Sequence, residues 1–78
     1  MSETRLSDIP ISKKGRVEKI MLEPDAGRRL GEMGLTRGAT FEVVRYAPMG
    51  DPIEIRVRGY NLSLRRADAE NIFVEALE

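Results

Sequence analysis

Three strand-like segments follow one another between residues 39 and 64 with little chain between them. Residues 39–46 and 53–58 are rich in β-branched and aromatic side chains and largely alternate apolar with polar positions, which is typical of half-buried β-strands. The next pair, Gly59-Tyr60, fits a two-residue hairpin loop with glycine at its first central position. Because such short connections join antiparallel neighbours, this region predicts a mainly β fold.

The register of the first hairpin follows from the side chains that it would bury. One alignment places Glu42 opposite Arg56 on the outer face, where the opposite charges form a favourable cross-strand pair. Phe41 and Val43 then face inward. An alignment shifted by two residues sets Arg45 against an apolar neighbour and is less favourable. We therefore expect the first alignment.

The second hairpin is expected to extend the same inner face. With the loop described above, Leu62 lies opposite Val57 and Leu64 lies opposite Ile55. The segment "GRVEKIML" predicts an earlier strand at 15–22, and "IFVEAL" predicts a last one near the end of the chain. The segment "RRADAEN" between them predicts a turn or a single helical turn.

A short helix is predicted between the first two strands. Ala26, Leu30 and Met33 fall on one helical face. Asp25 is the expected N-cap, and Gly34 occupies the position of a left-handed residue in a Schellman-type ending. About five strands and one helix in a single domain, residues 1–78, indicate a small β-barrel, whose closure removes exposed strand edges.

The composition excludes several kinds of chemistry. The chain has no cysteine and no histidine, so disulfides, thiolate chemistry and the commonest metal ligand and general base are all missing. Ser63 has no histidine partner, and Asp51 and Glu54 are near each other without a recognisable ligand spacing. We therefore expect neither an enzyme nor a bound metal or cofactor.

The charge balance and the hydropathy limit the partners of the chain. Thirteen basic residues balance thirteen acidic ones, whereas nucleic-acid binders usually carry a basic excess. Neither a membrane-spanning run nor a secretory signal is present. We expect a cytoplasmic protein that binds no nucleic acid and meets a membrane only through a partner.

One surface is a candidate for binding a partner. In the chosen register Val44 and Tyr46 point outward beside a loop stiffened by two prolines, with Met49 as an adaptable apolar contact at its tip. The predicted contact residues are Val44, Tyr46, Pro48, Met49, Gly50 and Pro52, with Arg56 and Arg58 as rim charges. The alternative is that Val44 and Tyr46 are ordinary half-exposed strand residues and that the prolines only protect an edge.

The motifs of the chain resemble those of a known family. The run Leu30-x-x-Met33-Gly34-Leu35-x-x-Gly38 is followed by Pro48, Gly50-Asp51-Pro52, Ile55-x-Val57, Gly59 and Leu62-x-Leu64-Arg65. Together they are similar to the ferrous iron transport protein A (FeoA) family. The resemblance implies an SH3-like barrel and an accessory role in bacterial ferrous iron uptake, with the membrane transporter FeoB as the partner.

A second resemblance supplies a different hypothesis. The chain is also similar to the SH3-like C-terminal domain of iron-dependent repressors, which implies a metal-sensing or repressor-associated module. We favour the accessory protein, since no DNA-reading helices precede the domain in this sequence. Its effect on the transporter would be conformational, through different affinities for two states. Weak self-association through an unpaired edge strand is a further alternative.

Overall fold

The computed structural model describes residues 4–77 and contains six strands and two helices. The strands are β1 (Thr4–Arg5), β2 (Lys14–Ile20), β3 (Thr40–Tyr46), β4 (Ile53–Val57), β5 (Tyr60–Leu64) and β6 (Ile72–Leu77), and the helices are α1 (Pro24–Glu32) and α2 (Arg66–Ala69). A single 3-10 turn, Leu6–Asp8, follows β1. The predicted mainly β fold with a short helix before β3 is confirmed, and the two-residue strand β1 is an addition to it.

All six strands belong to one antiparallel sheet in the order β1-β6-β2-β3-β4-β5. The hairpins β3–β4 and β4–β5 supply one half of the sheet, and β6 returns from the end of the chain to pair with β2. A bulge between Val17 and Lys19 interrupts that pairing. Since β6 is also the neighbour of β1, the first and last strands of the described chain pair on one side of the sheet.

The inner face of the sheet carries a single hydrophobic core. No polar or charged residue of the described chain is buried, so packing of apolar side chains stabilises the fold, as expected for a chain without cysteine. Leu6 and Ile9 from the opening segment are fully covered. The other buried members are Val17, Leu30, Leu35, Phe41, Val43, Ile53, Ile55, Val57, Leu62, Leu64, Ala69, Ile72 and Val74.

Helix α1 ends as predicted but begins two residues earlier than expected. The predicted N-cap Asp25 is wrong, because Pro24 occupies the first helical position and Glu23 is the N-cap; the fixed φ of proline suits that position. At the other end Gly34 has φ +96°, and its N–H donates to the carbonyl of Gly31 at 3.0 Å. These features, with a bond from the N–H of Leu35 to the carbonyl of Leu30, form a Schellman motif.

The register of β3 and β4 agrees with the prediction over its first half only. Glu42 lies opposite Arg56, as predicted. The register then shifts by one residue between Val43 and Arg45, so that Val44 is left without a partner and Tyr46 lies opposite Ile53. A bulge of this kind reverses the in-and-out alternation of every later side chain.

The turn between β4 and β5 is formed one residue earlier than predicted. Its central residues are Arg58 and Gly59, both with positive φ (+52° and +88°), as a type I′ turn requires. Leu62 therefore lies opposite Ile55, and Leu64 lies opposite Ile53. The predicted partners of both leucines were wrong by two positions, because Arg58 adopts a left-handed conformation that few side chains accept. A shift of two keeps both leucines on the inner face.

Candidate functional site

The connection between β3 and β4, residues 47–52, is a closed and ordered loop, which we call the Met49 loop. The N–H of Ala47 donates to the carbonyl of Pro52 at 3.0 Å, and the N–H of Gly50 donates to the carbonyl of Ala47 at 2.7 Å. Met49 is 91% exposed at its tip, more than any other large apolar side chain among residues 4–77. The loop therefore holds an apolar side chain out into solvent.

Helix α2 supports this loop from below. The carboxylate of Asp51 accepts the backbone N–H of Arg66 at 3.0 Å, at the first turn of α2. Gly50 has φ +83°, and a Cβ at that position would lie 3.0 Å from the guanidinium of Arg66. The same arginine forms an ion pair with Glu70 at 3.4 Å. These contacts fix the orientation of the loop relative to the barrel.

Tyr46 lies beneath the Met49 loop and does not point outward as predicted. Its side chain is half-buried against the core, and its hydroxyl donates to the carbonyl of Ile9 and lies 3.2 Å from that of Ser7. Burial raises the pKa of Tyr46 above 10.0; the charge of Arg66 opposes that shift and Asp8 adds to it. The bulge at Val44 is the cause, since it turns Tyr46 to the inner face.

Arg56 and Arg58 lie away from the loop. The loop joins β4 at Ile53, whereas Arg58 follows the opposite end of that strand. The rise per residue of a strand places Arg56 about 10 Å and Arg58 about 16 Å from Ile53. Of the predicted set, Pro48, Met49, Gly50 and Pro52 lie in the loop, Val44 lies in β3 at the bulge that precedes it, and the two arginines lie toward the far end of β4.

The two arginines line a second feature, which we call the cationic cleft. It is an open depression of about 190 Å³ on the outer face of β2, β3 and β4, lined by Lys14, Thr40, Phe41, Glu42, Arg56 and Arg58. Lys14 was not predicted as a site residue from the sequence. Its place in the cleft depends on the pairing of Lys14 with Glu42 across β2 and β3, and no local pattern indicates that pairing.

Ile11 is an exposed apolar residue that the sequence analysis also missed. Its side chain is 51% exposed, and the following residue, Ser12, donates its N–H to the carbonyl of Val43 at 2.8 Å. This bond places the opening segment alongside β3, next to the bulge at Val44. The signal that could have identified it in the sequence is an isoleucine in a segment without a strand or helix pattern.

Within residues 4–77 no group of three or more carboxylate, histidine or cysteine side chains is arranged to hold a metal ion. No helix in that part of the chain is long and apolar enough to span a bilayer. The described chain presents two candidate surfaces, an apolar loop and a charged cleft. Its fold is that of a small SH3-like domain.

Comparison with known proteins identifies the family. The FeoA domain profile matches residues 4–76, and the chain therefore belongs to the FeoA family. A curated relative, the Fe(2+) transport protein A/Fe(2+) transporter FeoB fusion protein of Porphyromonas gingivalis, is 37% identical over 73 residues, covering 94% of this chain. The match spans only 9% of the length of that fusion protein.

Solved structures agree with this assignment. The FeoA protein of Chlorobium tepidum has a TM-score of 0.93 at 41% identity, covering 96% of this chain and 71% of its own. The FeoA of Stenotrophomonas maltophilia, solved with zinc and described as a procaryotic SH3 domain protein, has a TM-score of 0.76 at 29% identity, covering 92% of this chain and 89% of its own. The SH3-like fold and the membership of the FeoA family expected from the sequence are thereby confirmed.

Proposed function

We propose that this protein is a cytoplasmic, non-catalytic accessory protein that binds a FeoB-type ferrous iron transporter and modulates iron uptake. The main support for this proposal is the fusion relative, which contains an FeoA segment and a FeoB transporter in one chain. Covalent linkage raises the effective concentration of two modules that bind each other. A separate accessory protein has to reach the same complex through its own affinity.

The Met49 loop is the proposed contact surface. Its contact residues are Val44, Pro48, Met49, Gly50 and Pro52. Met49 is an adaptable apolar anchor, and the bond from Arg66 to Asp51 orders the loop before binding, which reduces the entropy lost on association. Tyr46 supports the loop from beneath through its hydrogen bond to Ile9. The bound protein shifts the transporter only by its different affinities for two transporter states.

An amide chemical-shift titration with the soluble G-protein domain of the transporter tests this proposal, with and without a GTP analogue. We expect shifts centred on residues 47–52 and on Val44. Met49→Ala should weaken binding by roughly tenfold, within the range of buried interface anchors. Met21→Ala is the matched control, since Met21 is also exposed, at 57%, outside the loop.

Two results would contradict the proposed contact. If saturating G domain causes no shifts, docking on that domain is wrong, and the membrane portion of the transporter in nanodiscs is the next partner to titrate. If Met21→Ala weakens binding as much as Met49→Ala, the partner meets a different surface.

A transition-metal-binding module is the second candidate function. The zinc complex of the Stenotrophomonas maltophilia FeoA favours it. In this chain only carboxylates and thioethers are available as side-chain ligands, and these hold divalent transition metals weakly unless several converge. We therefore rank this function below the accessory role.

A further inference from the structure

We propose that the cationic cleft binds carboxylate side chains of an acidic protein segment. The chemistry of the site is defined by this chain alone, whereas assigning the segment to the transporter rests on the proposed function. The cleft lies at the end of β4 remote from the Met49 loop, and it would give the protein a second, electrostatic contact.

Strand pairing brings the charges of the cleft together. Lys14 lies opposite Glu42 across β2 and β3, and Glu42 lies opposite Arg56 across β3 and β4. These three side chains form one row on the outer face of the sheet. Thr40, Phe41 and Arg58 complete the lining of the cleft beside that row. The positions are set by backbone pairing, so the cations do not have to be gathered when a ligand binds.

The cations of the cleft are not neutralised by ion pairs, unlike four of the other arginines. Four arginines elsewhere are matched with carboxylates: Arg16 with Glu75, Arg28 with Asp25, Arg45 with Glu54 and Arg66 with Glu70. Lys14, Arg56 and Arg58 form no ion pair within residues 4–77. Glu42 is the one carboxylate that lines the cleft, and the three cations outnumber it. The cleft is therefore locally positive on a chain whose formal net charge is zero.

Arg58 is held in place by its surroundings. It adopts φ +52° in the β4–β5 turn, and its side chain crosses the end of α1, with Cδ 3.3 Å from the position of a Cβ on Gly34. The hydroxyl of Tyr60 donates to the carbonyl of Met33 at the same point. An arginine with a restrained stem loses less side-chain entropy when its guanidinium binds a carboxylate.

An acidic segment fits these features best. Guanidinium groups pair with carboxylates through two parallel N–H···O bonds, and Thr40, whose side chain carries a hydroxyl donor, also lines the cleft. Because the molecule is neutral as a whole, attraction is confined to the cleft and acts within about 10 Å at ordinary salt. This favours a carboxylate-bearing segment docked directly against the sheet.

The test is a chemical-shift titration of the full chain with a blocked tetrapeptide of glutamate at low salt. Matched arms use a tetrapeptide of glutamine and inorganic phosphate. We expect shifts at the amides of Thr40, Glu42, Arg56 and Arg58 with the glutamate peptide only. The double variant Arg56→Gln/Arg58→Gln should weaken binding about tenfold, since each exposed pair contributes a factor of a few. Salt at about 0.5 M should abolish the shifts.

Arg45→Gln is the control variant, because Arg45 is a comparably exposed β3 arginine already paired with Glu54 at 3.6 Å. It should leave peptide binding unchanged. Arg56→Gln alone is the second variant, since Arg56 is an outward strand residue outside the strained turn. Equal binding of phosphate, equal loss in Arg45→Gln, or shifts unaffected by both cleft variants would overturn the proposal. None of these results involves the transporter, so failure here leaves the accessory role to be judged by its own titration.

Discussion

At the scale of single residues, Tyr46 shows how far one side chain can depart from its sequence pattern. In an alternating strand it belongs with Val44 on the outer face. The bulge at Val44 turns it inward, opposite Ile53, where its hydroxyl ties β3 to the opening segment through the carbonyl of Ile9. Tyr46 therefore contributes to the stability of the surface that supports the Met49 loop.

Tyr46→Phe should lower the free energy of unfolding by about 1 kcal/mol, because it removes the hydrogen bond to Ile9. Urea denaturation at neutral pH measures this loss. Tyr60→Phe is the control, since the hydroxyl of Tyr60 also bonds to a backbone carbonyl but at an exposed position. A loss in Tyr46→Phe no greater than in Tyr60→Phe would contradict the structural role of Tyr46.

The stability of the protein should also depend on the ionisation of Tyr46. Its pKa is raised in the folded state above 10.0, chiefly by burial, so the folded protein holds this proton more tightly than the unfolded chain. The resulting stabilisation is fully present below about pH 10 and is lost as the pH rises through the folded pKa. Denaturation between pH 9 and about 11.5 should show a decline that Tyr46→Phe reduces; an unchanged decline would assign it to other groups.

At the scale of elements, helix α1 shows why glycines in one segment have different roles. Gly31 is inside the helix, where a Cβ would meet Thr36 at an ordinary distance of 3.5 Å. Gly34 ends the helix at φ +96°, and a Cβ there would lie 2.7 Å from the hydroxyl of Tyr60. Gly31 therefore only weakens the helix, whereas the left-handed ending of the helix requires a glycine at position 34.

Gly31→Ala and Gly34→Ala should therefore change stability in opposite directions. Gly31→Ala should raise the free energy of unfolding by up to about 1 kcal/mol, since alanine favours a helix interior. Gly34→Ala should lower it by about 1–2 kcal/mol from its left-handed conformation alone, and it should displace Tyr60 from Met33. Paired thermal denaturation measures both. A neutral Gly34→Ala would show that the Schellman ending is dispensable.

At the scale of the whole molecule, the absence of cysteine and histidine limits what the chain does with the ion that its family is named for. Carboxylates of residues 4–77 do not converge in groups of three or more. Under the proposed function, ferrous iron is the cargo of the partner and not a ligand of this chain.

Anaerobic calorimetry with ferrous iron should accordingly show no saturable binding by the isolated protein, and a chelator should leave its melting temperature unchanged. Isolated carboxylates and thioethers offer too few converging ligands for a tight divalent site. Mn²⁺ in a parallel titration separates a general carboxylate effect from one specific to iron. Stoichiometric binding of ferrous iron would favour the metal-binding function over the accessory one.

Much of the fold is contained in local sequence signals. The Schellman ending of α1, the position of Glu42 opposite Arg56 and the last strand were all predicted correctly, because each depends on residues close in sequence or joined by a short hairpin. The candidate site was predicted less well. Its loop was identified, but Tyr46 was assigned to the wrong face, and Arg56 and Arg58 were grouped with a loop from which β4 separates them.

The sequence by itself determined the mainly β class, the position of the helix, the inner faces of the hairpins and the lack of cysteine and histidine chemistry, since these follow from composition and short-range periodicity. Only the tertiary structure decided the bulge at Val44, the left-handed Arg58 and the meeting of Lys14 with Glu42. The first two depart from a local preference, which is strict alternation along β3 and a negative φ at Arg58. The third joins residues 28 positions apart, and such a contact exists only after the whole sheet has formed.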